Sequence, residues 1–363
     1  MASLHPVSPL EALYEICERT IRAHGPVAVA FSGGRDSSLL LAAAAEVSAR
    51  RGAAPPAAIT LRFPGAPQAD EDVWQEQVIS ELNIADWTRI SIGAELDFVG
   101  PLARRHLLRD GVLFPANAHS VLPLLEAADG RSLLVGLGGD ELLSPHQSWA
   151  VHELLGRRRS FEPRDLLSLA LATLPAPVRG RLRPSRRGLA EPLHWLQPQA
   201  RRLVELAVRT RAEEPILWGT AARHAAARRD VVCPRDTMEI LAVAEGGVTV
   251  APFLEDEFVG ALAHAGGRAG WGTRTATMEA LFSGVLPREI LSRKSKAGFN
   301  RVFFAEESRA FASAWTGRGV DPELVDAEAL RREWLSPVPD FRTALLLQTA
   351  WLAERDHQRP GTK

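Results

Sequence analysis

The chain has 363 residues, 46% of them hydrophobic, and its 43 basic residues are balanced by 44 acidic ones. That length suffices for a sizeable core, and the near-zero charge gives no global reason to expect nucleic acid or an anionic membrane as partner. Two distant cysteines, Cys17 and Cys233, imply neither a disulfide framework nor a zinc site and fit a reducing cytoplasm. The first twenty residues lack the pattern of a signal peptide, and no window holds 18 uncharged apolar residues, so no membrane span is expected.

In chain order, "PLEALYEICERTIRAHG" has helical apolar spacing and stops on Gly25. "VAVAF" reads as a buried strand, and "SSLLLAAAAEVSARRG" as a helix closed by Gly52. "PAAITLRF" is a second strand, "DEDVWQEQVISELNI" a second helix with an acidic first turn that suits the helix dipole, and "WTRISI" a third strand. A helical stretch near Pro101–Asp110 and the helix "HSVLPLLEAADG" lead to a fourth strand, "SLLVGL". This rhythm predicts βαβ units: an α/β fold with a parallel twisted sheet and flanking helices. After about residue 150 the strand signals fade. Residues 156–188 are rich in Arg, Pro and Gly and read as a solvated loop or lid, or as a patch for an acidic partner. From about 191 the chain reads as mainly helical. The expected division is 1–150, an α/β core; 151–190, the loop or lid; and 191–363, a helical part.

Three clusters carry chemistry. Ser32-Gly33-Gly34-Arg35-Asp36-Ser37-Ser38 ends the first strand and opens a helix. Its glycines let backbone N–H groups approach a ligand, the helix dipole points at the same place, and the serines add hydroxyls, so the loop suits phosphates. Asp36 makes most sense there if Mg²⁺ lies between it and the phosphate. Read alone, the loop is either a phosphate site or a capped glycine turn. Gly136-Leu137-Gly138-Gly139-Asp140-Glu141 repeats the pattern at the end of the fourth strand, so Asp140 could approach Asp36 across the strand ends, where ligands of such sheets bind. The third cluster, "LPREILSRKSKAGFN", holds Arg293, Lys294 and Lys296. Cations before a glycine suit a helix C-terminus. Yet the chain has three lysines against forty arginines, and two of those lysines stand here, as a need for a compact ammonium would require.

In this order the clusters resemble the synthetase domain of the asparagine synthetase family, PP-loop ATP pyrophosphatases that include β-lactam synthetases and lasso-peptide cyclases. "SGGRDSS" looks like its SGG-x-DSS loop, "AITLRFPGAPQADEDVWQEQVISELNI" like its second strand followed by an Asp-Glu that opens a helix, "GLGGDELL" like its SGxGxDE turn, "VAPFLEDEFVGAL" like its PFLD segment, and "LPREILSRKSKAGFN" like its LP…R-x-K-x-G-F stretch, the likeness running from about residue 10 to about 305. The resemblance implies ATP with its pyrophosphate at Ser32, Gly33, Gly34, Asp36, Ser37 and Ser38, and Mg²⁺ held by Asp36 and Asp140. It puts adenine and ribose near Leu61, Arg62, Phe63, Gly136 and Gly138, and a catalytic Lys296 beside the α-phosphate. A carboxylate would be adenylated, and an amine would then form the amide.

Departures narrow this. The chain opens Met1-Ala2 with no early nucleophilic cysteine, so it is not expected to hydrolyse glutamine itself. Leu137 stands where asparagine synthetases place an acid and β-lactam synthetases a tyrosine, so the base must come from elsewhere in the chain, with Asp236, Glu239 and Glu245 as candidates by position alone, or from the substrate. Glu255 replaces the Asp of PFLD, and Arg35 is expected to face solvent. The implied product is an amide of specialised metabolism, made from a small-molecule or peptide carboxylate and an amine, with a separate glutaminase, a carrier or a precursor peptide as candidate partner. The competing expectations are an ammonia-fed amidating subunit, a tRNA-modifying enzyme, and a non-catalytic nucleotide-binding subunit. Neutral charge and the absence of CxxC pairs speak against tRNA.

Overall fold

The structure, a computed structural model, describes residues 7–64, 71–146, 148–158, 160–162, 165–175, 178, 193–210, 214–293 and 300–358. Five strands, β1 (Val27–Ala30), β2 (Ala57–Arg62), β3 (Trp87–Ser91), β4 (Ser132–Leu134) and β5 (Thr249–Val250), form one sheet in the order β3-β2-β1-β4-β5, and every pair is parallel. The central strand β1 is apolar and buried, as a strand covered on both faces must be, whereas edge strand β3 leaves Thr88, Arg89 and Ser91 exposed. The expected parallel α/β sheet is present. The fifth strand was not read from the sequence, because two residues carry no periodicity.

Helix α1 (Pro9–His24) begins with a capping box, in which the Ser8 side chain accepts from Glu11 N and the Glu11 carboxylate accepts from Ser8 N; it ends at Gly25. Helices α2 (Arg35–Arg51), α3 (Asp72–Glu81), α4 (Pro101–Asp110) and α5 (Leu122–Ala128) follow, and the one-turn α6 (Gly139–Leu142) opens after β4. Beyond it lie α7 (Trp149–Leu155), α8 (Asp165–Thr173), α9 (Pro198–Thr210), α10 (Trp218–Ala226), α11 (Arg229–Ala244), α12 (Asp256–Gly266) and α13 (Arg274–Phe282). The chain continues through α14 (Arg288–Leu291), α15 (Asn300–Phe303), α16 (Glu306–Ala314), α17 (Ala327–Trp334) and α18 (Ala344–Gln358). Residues 179–188 of the Arg/Pro-rich segment, with 159, 163, 164, 176 and 177, lie outside the described residues. Among the described residues no helix is long and apolar enough to cross a membrane.

Two apolar cores explain how distant sequence meets. The first joins the sheet, α1 and α2 to Trp218, Phe253, Phe258, Phe282 and Leu291. The second joins Leu96, Phe98 and Val99 to Phe303, Phe304, Trp315, Trp334 and Leu347. At the second core the fully buried Asp97 accepts from Ser308 N (3.0 Å) and Ser308 Oγ (2.5 Å), and Gln348 donates to the Phe98 and Ala116 carbonyls. A buried carboxylate needs such donors. Cys17 and Cys233 are both free, and burial pushes the Cys17 thiol up to about 12, so it is inert.

Candidate active site

The sheet order reverses direction between β1 and β4: from β1 the chain builds β2 and β3 on one side, then crosses to β4 and β5 on the other. Such a switch leaves a crevice beyond the carboxyl ends of the two strands. Both glycine-rich loops open into it.

After β1, Gly33 has φ +83°, and a Cβ there would lie 2.7 Å from Gln75 Cγ, so only glycine fits. Gln75 Nε2 donates to the Ser32 carbonyl (3.0 Å), tying α3 to the loop. The Ser37 and Ser38 hydroxyls both donate to the Gly34 carbonyl, at 3.1 and 2.8 Å. Ser38 is fully buried, so its hydroxyl shapes the loop from beneath; Ser32 is exposed at the mouth. Asp36 stands in the first turn of α2 with its side chain 16% exposed.

After β4, Gly138 has φ +91°, and a Cβ would strike Leu254 at 2.4 Å. The Pro-Phe-Leu segment thus buttresses this turn through Leu254. Glu255 is turned away, paired with Arg19 at 2.9 Å, and burial raises its pKa, only partly offset by that arginine. A Cβ at Gly139 would sit 2.4 Å from Asp36 Cγ, and one at Gly136 would sit 3.4 Å from Asp36 Cβ. The absent side chains let the second loop press against the first.

Asp36 and Asp140 meet on one cation. Arg274 Nη2 donates to both oxygens of Asp36, at 2.6 and 2.7 Å, while its Nη1 pairs with Asp140. Arg274 is the first residue of α13, whose N-cap Thr273 accepts from Ala276 N. A cation in that turn opposes the helix dipole, so the two carboxylates are what hold it there. Arg35 is also the first residue of its helix, and it is not turned to solvent as expected. It reaches Thr275 Oγ1 and the Leu291 carbonyl, both at 3.3 Å, and burial followed by the Arg274 cation lowers its pKa. Arg293, 6% exposed, donates to the Gly33 carbonyl at 2.5 Å, pairs with the buried Glu71, and lies over the Trp74 ring. Three guanidinium groups therefore surround one loop, an environment suited to a polyanion.

Leu61, Arg62 and Phe63, at the end of β2, line a cavity of about 170 Å³ with Glu71, Asp72, Gln75 and Ser91. Sites for whole drug-sized ligands start near roughly 300 Å³, so this one takes only part of a nucleotide. Gly136 and Gly138 lie at the end of β4, on the other flank of β1 from Leu61–Phe63, with Asp36 beside Gly136 and Leu254 beside Gly138. Lys294 and Lys296 lie outside the described residues. Of the acids considered as base, Glu245 pairs with Arg105 and Arg109 and leads into the amino end of β5, the edge opposite the crevice; that placement removes it. Asp236 is exposed and paired with Arg235, and Glu239 is exposed on the same helix.

The donor set can be tested against Mg²⁺. That ion keeps most of its waters and takes one or two carboxylates plus phosphate oxygens. Asp36 and Asp140 supply two hard-oxygen groups converging on one positive centre, and no cluster of three or more metal-ligating side chains exists among the described residues. The residues fit a metal that arrives with a polyphosphate better than one held by protein alone.

Sequence reading missed Arg274 and Gln75, and marked Glu71 only as part of the Asp-Glu that opens a helix. A signal for Arg274 was present, since an arginine directly after a Thr cap stands at the wrong end of a helix for its charge. A family model described as asparagine synthase matches residues 10–351, while no curated protein matches the chain. With a match over nearly the whole length, and with both glycine turns facing one crevice, the chain belongs to the asparagine synthase family, whose members are ATP-dependent synthetases.

Proposed function

We propose that this protein is an AMP-forming amide synthetase: it adenylates a substrate carboxylate, releases pyrophosphate, and lets an amine displace AMP from the acyl group. Residues 1–150 bind the nucleotide, 151–190 cover the site, and 191–363 carry the catalytic lysine. The observation that carries this reading is the meeting of Asp36 and Asp140, from two loops of one crevice, on a shared positive charge. In the reaction Ser32, Gly33, Gly34 and Ser37 cradle the pyrophosphate portion. Asp36 and Asp140 would hold Mg²⁺, which would neutralise phosphate charge. The cavity at Leu61–Phe63 receives the base. Arg293, three residues before Lys296 in the sequence, fixes the Gly33 carbonyl. Lys296 then stabilises charge at the α-phosphate and on the tetrahedral carbon. The site closes against water because an acyl-adenylate hydrolyses readily.

Leu137, at the position that carries an acid in asparagine synthetases, favours a substrate other than aspartate with ammonia. The test is pyrophosphate–ATP exchange across a panel of small-molecule and peptide acids. Acid-dependent exchange with AMP formation is expected, and Lys296→Ala should slow turnover by about 10²–10³. ADP as product, or asparagine made from aspartate and ammonia at the rate of the best acid, would refute the proposal.

A further inference from the structure

We infer that Arg274 is a guard on the metal site: it fills the place between Asp36 and Asp140 until a divalent cation arrives together with a polyphosphate. The inference rests on the reading of Asp36 and Asp140 as metal carboxylates, and goes beyond it by coupling metal to nucleotide.

The guanidinium is the bridge between the two loops, with Nη2 on Asp36 and Nη1 on Asp140. Its side chain is only 15% exposed, its buried Nε has no hydrogen-bond partner, and it starts a helix whose dipole disfavours it. Arg35 adds a second positive charge nearby, lowering rather than raising the comfort of a cation at this spot. Arg274 therefore depends on the two carboxylates. A bare divalent cation that took both of them would strand a largely buried guanidinium beside Arg35, an arrangement that is strongly unfavourable. A metal that brings phosphate oxygens supplies a new anionic partner to the displaced arginine in the same event. Free metal is thus excluded and metal–nucleotide admitted, and by linkage each strengthens binding of the other.

Mn²⁺ is the probe, followed by its electron paramagnetic resonance signal, with a non-hydrolysable ATP analogue. Wild-type protein is expected to bind Mn²⁺ at least tenfold more weakly without the analogue than with it. Arg274→Gln, which keeps a long polar side chain and removes the charge, should bind Mn²⁺ without the analogue at least tenfold more tightly than wild type. Adding Asp36→Asn to that variant should abolish the gain. Equal Mn²⁺ affinity of wild type and Arg274→Gln without the analogue overturns the guard. So does wild-type protein whose Mn²⁺ affinity is tight and unchanged by the analogue, a measurement that needs no variant to fold. If Arg274→Gln gains Mn²⁺ binding but neither protein binds the analogue, the adenylation reading falls and the coupling of metal to nucleotide is overturned with it, leaving only the block on free metal. Analogue binding with no metal coupling overturns the guard and leaves the adenylation reading standing.

Discussion

Acid should weaken this fold through His106 by an amount that the structure sets. His106 lies on α4 with 1% exposure, its ring stacked on that of His119 at 5.9 Å between centroids and 18° between planes. Burial is the main cause that pushes its pKa down to about 4; the neighbouring His119 and Arg109 add to this, and Asp110 opposes it. An unfolded histidine takes its proton near about 6.5. Between those values the unfolded chain binds more protons than the folded one, so stability falls as pH drops through 6.5, and the loss is complete near 4. At about pH 5, some 1.5 units into that window, His106 alone should cost about 2 kcal/mol relative to about pH 7.5.

The variant that isolates this cost is His106→Phe, which keeps a flat ring against His119 and removes the proton site. Both proteins are unfolded in urea at the two pH values and followed by tryptophan fluorescence. Whatever offset the variant shows at neutral pH, its loss on acidification should be about 2 kcal/mol smaller than that of the wild type. Equal losses would refute the reasoning, because His106 would then titrate alike in both states. His146, also pushed down to about 4 chiefly by burial, predicts a parallel and separable contribution.

Two further changes probe the crevice. Gly139→Ala puts a methyl 2.4–2.8 Å from the Asp36 carboxyl group; it should lower pyrophosphate exchange by about 10² or more through lost positioning, with an unchanged circular dichroism spectrum. Arg293→Met removes the partner of Glu71, whose side chain is 8% exposed, and should destabilise the protein by about 3–5 kcal/mol in urea unfolding. Adding Glu71→Gln should recover part of that loss, and no recovery would mean that the Gly33 carbonyl, not the ion pair, is what Arg293 serves.

Elements with local signals were legible. The stop at Gly25, the left-handed C-cap at Gly52 (φ +61°) and the smooth apolar run of β1 each lie where the sequence puts them. The two glycine turns could be assigned to strand ends for the same reason, because strand, turn and helix follow within a dozen residues. What was not legible depends on long-range contact. Strand β5 exists because Leu133 N and Val135 N donate to the Val248 and Val250 carbonyls, partners more than a hundred residues away. Arg35 reads as a solvent-facing residue until α13 and α14 are folded onto it. That Gly136 and Gly138 must be glycine follows only once Asp36 and Leu254 are seen to occupy the space beside them.

The arginine-rich composition takes on meaning at this crevice. Arg274 spans two carboxylates from separate loops, and Arg293 spans a backbone carbonyl and a carboxylate while lying over an indole ring. Each task needs a planar group with several fixed donors, which a guanidinium has and an ammonium lacks. Both side chains tie a late part of the chain to a loop formed more than two hundred residues earlier, so they assemble the site as well as charge it. Arg293 in particular holds the chain at the phosphate loop immediately before Lys294 and Lys296, where the sequence abandons its own preference for arginine. Structural bridging is thus given to the rigid fork.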